Sequence, residues 1–227
     1  PANPAEKVTI AKTKKVKLRE KGFTLAEARL ILLKTTDPVG PRTSKHHAAA
    51  RRWVPWLCAY TGARVNEITQ ACGKHVKAIE TPDGPPVWML TITPEAGSQK
   101  GYEAREVPLH PHLIGQGFLD FVSRSGPGPL FYNSSSRRGG RDPAYAQMGS
   151  EPAEWVREDG VKDTGIDPNH AWRHRFRSVA RDVGMPDGIC DRILGHAPAT
   201  VGQRYGDLWP NVALREISKV PPYPVSG

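Results

Sequence analysis

Residues 170–174 of the chain read His-Ala-Trp-Arg-His, followed by Leu-Gly-His at residues 194–196 and by a tyrosine at position 205. His170, Arg173 and His174 have i, i+3, i+4 spacing, so a helix would present all three on one face. Three nitrogen-rich side chains on one face repel each other and are costly to bury unless they converge on an anion. The spacing therefore predicts an anion-binding helix.

Two other interpretations of this helix compete with anion binding. The two histidines also have the spacing of zincin zinc sites, but that motif needs a glutamate after the first histidine, where this chain has Ala171. An arginine between the histidines would also repel a bound dication. A solvated cationic face is the simpler alternative, and it explains Arg177 and Arg181 better than it explains the His-x-x-Arg-His cluster.

A second candidate cation is Arg64, in the segment Thr-Gly-Ala-Arg-Val-Asn-Glu at residues 61–67. Gly62 permits a tight entry into a helix, and Arg64 adds a forked donor to N–H groups that already favour anions. Glu67 lies one helical turn further on and can hold the guanidinium by a salt bridge. Alone the motif is weak, because an Arg–Glu pair at a helix start is usually ordinary surface.

Two further candidates are weak when taken singly. Lys100 lies in a polar turn between two predicted strands, where a lysine is normally only solvated. Tyr205 would by itself be a half-buried amphipathic residue. A phenol with a pKa of about 10 is a poor nucleophile unless nearby cations stabilise its phenolate. Arg64, Arg173 and His196 would supply those cations.

The remaining sequence predicts a mostly helical chain with a small antiparallel sheet. Thr24 and Glu27 have capping-box spacing, and the helix that they open ends before the Pro- and Gly-rich residues 37–41. Residues 125–149 are rich in Gly, Ser, Pro and Arg and predict a long mobile loop. Strands are predicted at 76–80, 87–93 and 104–109, and further helices at 44–60 (bent or interrupted near Pro55), 64–71, 112–124, 150–159, 169–183, 187–195, 198–206 and 210–219.

Composition restricts the class of protein. The 227 residues include 32 Lys and Arg against 23 Asp and Glu, a net charge of +9, which favours a polyanionic partner such as DNA or RNA. No apolar run approaches the ~20 residues of a spanning helix. The three scattered cysteines fit neither a disulfide scaffold nor a Cys-rich zinc site. A membrane protein, a disulfide-stapled secreted domain and a disordered acidic tail are excluded, and we expect an intracellular protein.

Taken in order, the motifs resemble the catalytic domain of the tyrosine recombinases, the phage integrase family. That signature has Arg after Thr-Gly with Glu three residues on, a hairpin Lys, His-x-x-Arg-His, Leu-Gly-His and a Tyr soon after, and all five occur here. Lys100 also precedes Arg-Glu-Val-Pro-Leu at residues 105–109 with the spacing of Xer-type recombinases. The resemblance implies an α+β fold, a mostly helical recombinase core with a three-stranded antiparallel sheet.

The resemblance also implies roles for the motif residues. Tyr205 would attack a scissile DNA phosphate, giving a 3′-phosphotyrosyl bond and a free 5′-hydroxyl. Arg64 and Arg173 would clamp the non-bridging oxygens as charge builds, and His196 would donate a hydrogen bond to the same phosphate.

Four further residues complete the implied machinery. Lys100 would protonate the leaving 5′-oxygen, and His170 would help to accept the tyrosine proton. Glu67 would orient Arg64, and His174 would give structural support. No metal or cofactor is implied, because protein cations neutralise the phosphate. No ATP is implied either, because the phosphotyrosyl bond conserves the energy for religation.

The implied partner is double-stranded DNA at specific sites, recombined in a homotetramer through a Holliday junction. The final helix (residues 211–219) resembles the segment that packs on a neighbouring protomer in this family, with packing in cis as the alternative. Such an enzyme would serve DNA integration, excision, chromosome dimer resolution or mobile-element transfer, and the sequence does not choose among them. We expect it in the cytoplasm of a bacterial or phage-infected cell, associated with the nucleoid.

Domain boundaries follow from the same resemblance. We expect a basic linker or arm at residues 1–22, the catalytic domain at 23–220 and a tail at 221–227. Family members generally carry a helical core-binding domain before the catalytic one. The start at a proline rather than Met favours separation from such a domain over a protein made of the catalytic domain alone.

Three other functions fit parts of the pattern. A type IB topoisomerase shares the Arg, Lys, Arg, His and Tyr set and its covalent chemistry, but acts as a monomer on supercoiled DNA. The second histidine of His-x-x-Arg-His and the Leu-Gly-His form favour the recombinase. A catalytically silent DNA-binding accessory protein would explain the positive charge equally well. The presence of every candidate catalytic side chain argues against it. An RNA-binding helical protein would make the ordered set a coincidence.

Overall fold

The computed structural model describes residues 19–82, 84–93, 104–134, 144–159, 161–196 and 209–225. Two predicted catalytic residues, Lys100 and Tyr205, lie outside the described residues, as does the helix predicted at 198–206. None of the helices in the described ranges is both long enough and apolar enough to cross a lipid bilayer.

Helices dominate the described part of the chain, and one small sheet accompanies them. The predicted α+β fold class is confirmed. The elements are α1 (Leu25–Lys34), α2 (Lys45–Thr61), α3 (Val65–Thr69), a 3₁₀ turn (Gly73–His75), β1 (Val76–Thr81), β2 (Gly84–Ile92), β3 (Arg105–Pro108), α4 (Pro111–Gly115), α5 (Phe118–Ser125), α6 (Ala144–Asp159), α7 (Pro168–Asp182), α8 (Asp187–Leu194) and α9 (Pro210–Ile217).

The sheet is antiparallel, as the sequence predicts, and its strand order is β1-β2-β3. Leu90 on the central strand pairs with Val76 on one side and with Val107 on the other, and all three side chains join the main core. Val87 and Met89 point to the opposite face and are also buried. Helix α9 packs on all three strands of the sheet.

Helix α2 lies at the centre of the core. Trp56, Leu57 and Tyr60 on this helix are fully buried, and α7, α3, α6 and α1 all pack against it. Of the bend or interruption expected near Pro55, the interruption is wrong, because α2 continues through this residue. A proline removes only one backbone donor from the helix, and burial of the surrounding apolar side chains offsets that loss.

Two other boundaries differ from the sequence prediction. The single helix predicted at 112–124 is two helices, α4 and α5, because Gly117 adopts a left-handed φ of 84° between them. Helix α6 begins at Ala144, within the predicted loop. Its first turns dock on α3, where the Thr69 hydroxyl donates to the Tyr145 carbonyl at 3.0 Å, and this tertiary contact outweighs the loop-like composition.

The segment before α1 is fastened to two elements. The Arg19 guanidinium donates to Glu27 on α1 at 2.8 Å and to Asp163, in the loop before α7, at 3.0 Å. The hydrogen bond from Arg19, together with those from Thr24, lowers the pKa of Glu27 to about 2 despite its partial burial. Gly22 lies so close to the α7 backbone that a Cβ would be 2.8 Å from the Arg175 nitrogen.

The segment after α9 returns to the core in cis. His110 is buried, and its Nε2 donates to the Val220 carbonyl at 2.9 Å while its Nδ1 accepts from the His112 N–H at 3.0 Å. The Tyr223 N–H donates to the Tyr60 hydroxyl at 3.1 Å. Both nitrogens of neutral His110 are thus used, and burial lowers its pKa to about 4.

We expect acid to destabilise the fold through His110. Because its pKa falls from 6.5 to about 4 on folding, the unfolded chain binds more protons between these values. The stability that neutral His110 contributes is therefore complete above its unfolded pKa and is lost as the pH falls through its folded pKa. Between about pH 7 and about pH 4.5 the loss is roughly 2–3 kcal/mol in the free energy of unfolding, measured by urea denaturation at the two pH values. A His110→Gln variant should lose most of this pH dependence, and an unchanged pH dependence would contradict the assignment.

Candidate active site

Three of the sequence motifs meet at Gly62. This glycine ends α2 in the left-handed conformation, with a φ of 59°. A Cβ there would lie 2.4 Å from Leu194 Cδ2 and 2.8 Å from Phe176 Cδ1. Leu194 opens the Leu-Gly-His motif, and Phe176 is on α7 with the His-x-x-Arg-His motif. Both segments therefore pack directly on the turn that leads into Arg64.

Arg173 is held at the same junction. Its Nη1 donates to the Gly62 carbonyl at 3.0 Å, which ties the arginine of α7 to a residue two positions before Arg64. His170, one turn earlier on α7, is half exposed, and its Nδ1 lies 2.9 Å from Asp167 Oδ2 at the start of the helix. Asp167 thus fixes one ring nitrogen and leaves Nε2 for another partner.

Glu67 is a buried carboxylate between two guanidinium groups. Glu67 is only 6% exposed. Its carboxylate accepts from the Arg64 backbone N–H at 2.9 Å and from Arg64 Nη1 at 3.3 Å. Two nitrogens of Arg105 donate to it from the other side, at 2.8 and 3.2 Å. Burial raises the pKa of Glu67, but the hydrogen bonds and charge of Arg105, together with those of Arg64, lower it overall. Glu67 is therefore anionic and contacts Arg64 as predicted.

Arg105 is a site residue that the sequence motifs did not identify, since they used it only to anchor the spacing of Lys100. Its side chain is 11% exposed, and its Nε donates to the Ile193 carbonyl in α8 at 2.9 Å. The alternation of side chains along a strand could have identified it, because Arg105 lies on the same inward face of β3 as buried Val107. A charged residue on an inward face needs a buried partner of opposite charge.

His196 follows the left-handed Gly195, which ends α8 with a φ of 71°. Its Nδ1 lies 2.9 Å from Asp191 Oδ1, and its backbone N–H donates to the Asp191 carbonyl at 2.9 Å. Arg177 also pairs with the Asp191 carboxylate, so it is part of this network rather than of a simply solvated face. With Nδ1 held by Asp191, Nε2 is the ring nitrogen that remains for another partner.

His174 lies on the exposed side of α7, close to the entering chain. Partial burial and the positive charges of Lys21, His170 and Arg173 lower its pKa. The structure therefore connects Arg64, Glu67, Arg173 and His196 through shared contacts, with His170 and His174 on the same helix as Arg173. Among the described residues, no three His, Cys, Asp or Glu side chains are grouped so that they could hold a metal ion.

Comparison with solved structures defines the fold. An integrase from mycobacterium phage Brujita superposes with a TM-score of 0.56 at 18% identity, over 92% of this chain and 60% of the integrase. The XerH site-specific recombinase, bound to its difH substrate, superposes with a TM-score of 0.54 at 18% identity, over 81% of this chain and 50% of XerH. The FLP recombinase from its complex with a Holliday junction superposes with a TM-score of 0.53 at 12% identity, over 89% of this chain and 51% of FLP.

The chain has the fold of a tyrosine recombinase catalytic domain. It spans between half and 60% of the length of these three recombinases. No family sequence model matches the chain. No curated protein matches it by sequence either. The resemblance to tyrosine recombinases therefore rests on the fold and on the ordered motifs.

Crowding at Gly62 predicts a large effect of a single methyl group. Gly62→Ala should lower the free energy of unfolding by about 2–4 kcal/mol, because left-handed strain adds to the clash with Leu194 and Phe176. Gly184→Ala is the matched control, since its φ is 70° but nothing lies within 4 Å of its Cβ position. It should cost only about 1–2 kcal/mol in urea denaturation. Equal losses in the two variants would contradict the packing at this junction.

Proposed function

We propose that this chain is the catalytic domain of a tyrosine-type site-specific DNA recombinase or integrase. It would break and rejoin DNA strands through a 3′-phosphotyrosyl intermediate without metal or ATP. The observation that carries the proposal is the junction at Gly62, which joins the segments of Arg64, Arg173 and His196 in a tyrosine recombinase fold.

The charge arrangement supports chemistry on a phosphodiester. Two guanidinium groups and an imidazole give donors for the non-bridging oxygens, whose negative charge grows in the transition state. Glu67 balances the buried Arg105 and holds Arg64 at its backbone and side chain. The charge of Arg64 can then be directed at the DNA. Protein cations thus do the work that a metal ion performs in other phosphoryl transfer enzymes.

The proposed cleavage step is a transesterification. The Tyr205 oxygen forms a bond to phosphorus, and the bond from phosphorus to the 5′-oxygen breaks. His170 helps to accept the tyrosine proton, and Lys100 donates a proton to the leaving 5′-oxygen. One phosphodiester is exchanged for another of similar energy, so a 5′-hydroxyl from a second strand can reverse the step without ATP.

The proposed partner is double-stranded DNA, bound at specific sites by a homotetramer. The net charge of +9 supports a polyanionic partner, and the structures of XerH with difH and of FLP with a Holliday junction are of DNA-bound recombinases. In this chain α9 packs in cis on the sheet. Exchange of α9 between protomers, which the resemblance allows, would have to remove this helix from its own sheet and replace it with the α9 of a neighbour.

Covalent capture on randomised DNA tests the proposed function and identifies the DNA site in one experiment. The protein is incubated in EDTA with nicked suicide duplexes of randomised sequence, whose short 5′-hydroxyl strand dissociates after cleavage. Adducts that survive SDS are precipitated and their DNA is sequenced. We expect wild type to recover a defined site and Tyr205→Phe to recover none, while Tyr145→Phe, the same change on α6, recovers the site as wild type does.

Three results would contradict parts of this proposal. An adduct that persists in Tyr205→Phe would remove Tyr205 as the nucleophile. DNA binding by wild type without any adduct, also when an upstream domain is supplied, would favour the silent DNA-binding protein. Relaxation of supercoiled plasmid by a monomer, with no strand exchange between paired sites, would favour the type IB topoisomerase.

A further inference from the structure

Arg105 contacts both of the segments that carry predicted phosphate ligands. We propose that Arg105 is a positioning residue, which sets Arg64 and His196 relative to each other so that both reach one phosphate. This inference rests on the proposed function for the phosphate. The structural coupling between the Arg64 segment and the His196 segment through Arg105 does not depend on that function and can be tested separately.

The first half of the coupling runs through Glu67. Arg105 Nη2 donates to Glu67 Oε2 at 2.8 Å and its Nη1 to Oε1 at 3.2 Å, so the guanidinium grips both carboxylate oxygens. Such a two-point contact fixes the plane of the carboxylate as well as its position. The same two oxygens accept from the Arg64 backbone N–H and from Arg64 Nη1. The orientation of Arg64 therefore depends on that of Arg105.

The second half of the coupling runs to α8. Arg105 Nε donates to the Ile193 carbonyl at 2.9 Å, in the last turn of that helix. Gly195 packs on the guanidinium so closely that a Cβ would lie 2.7 Å from Arg105 Nη1. His196 is the next residue, and Asp191 of the same helix holds its ring. Movement of Arg105 would therefore displace the turn that presents His196.

The chemistry of these contacts requires arginine. Nε and the two Nη atoms lie in one rigid plane, and here they serve a backbone carbonyl and a carboxylate at once. A lysine has one terminal nitrogen and cannot span both partners in this geometry. Arg105→Lys therefore keeps the charge but loses the coupling, which separates positioning from simple charge balance.

Single-turnover cleavage of the captured DNA site tests whether Arg105 acts through Arg64. We expect Arg105→Gln and Arg105→Lys to slow adduct formation by about 100-fold, at saturating protein and at a temperature where the variants are folded. In an Arg64→Ala background the further loss should be under about 10-fold, because one of the two groups that Arg105 positions is already absent and only the effect on His196 remains. Glu106→Gln is the matched control on β3. Its carboxylate pairs with half-exposed Lys77 and accepts a long hydrogen bond of 3.4 Å from the Thr91 hydroxyl. Both contacts are at the surface and neither involves Glu67 or α8, so the Glu106→Gln rate should stay within about 2-fold of wild type.

The same loss in both backgrounds would overturn the proposal, because Arg105 would then act independently of Arg64. A purely structural role would slow cleavage by an equal factor whether or not Arg64 is present. Restoration of the wild-type rate by Arg105→Lys would also overturn it, since charge alone would then suffice.

Hydrogen exchange tests the coupling without any activity. In Arg105→Gln we expect faster amide exchange in the peptides covering residues 63–68 and 190–196 together, with β1 and β2 unchanged. Glu106→Gln should match wild type throughout. Faster exchange confined to β3, or in only one of the two peptides, would overturn the coupling. If wild type forms no adduct, the proposed function fails, and the exchange data still decide whether Arg105 joins the two segments.

Discussion

A buried ion pair between Glu67 and Arg105 is the interaction on which the arrangement of the site depends. Removing two charges from water is costly, and their attraction compensates only when the geometry is good and the remaining polar groups are satisfied. Here each oxygen of Glu67 accepts from both arginine neighbours, and Arg105 also donates to a backbone carbonyl. Loss of one partner would leave an unbalanced buried charge, typically at a cost of about 3–5 kcal/mol.

The same pair determines how much positive charge faces the solvent. One carboxylate lies between two guanidinium groups, so the local sum remains positive. Arg105 is nearly enclosed, whereas the Arg64 side chain is 32% exposed. The surplus positive charge is therefore carried by Arg64, the more exposed of the two arginines. Gly62 adds a steric condition, because only a residue without a Cβ lets α7 and α8 approach the turn before Arg64.

Local sequence signals predicted much of this molecule. The capping box of Thr24 and Glu27, the three strands and the helical face of the His-x-x-Arg-His motif follow from spacing within a few residues, and the structure contains them. The partnership of Glu67 and Arg105 joins residues 38 positions apart, and no local pattern specifies that distance. The early start of α6 likewise depends on its contact with α3. The roles of Lys100 and Tyr205 rest on the family resemblance, since both lie outside the described residues.

The proposed function requires that Tyr205 forms a covalent bond to the 3′-phosphate of the cleaved DNA strand. The most direct measurement is peptide mapping of the captured adduct, by nuclease and protease digestion followed by mass spectrometry. We expect a single nucleotide-bearing peptide, modified at Tyr205, and a released strand whose 5′-hydroxyl accepts a label from a polynucleotide kinase. A nucleotide on any other residue, or a protein link to the 5′-phosphate, would contradict the claim.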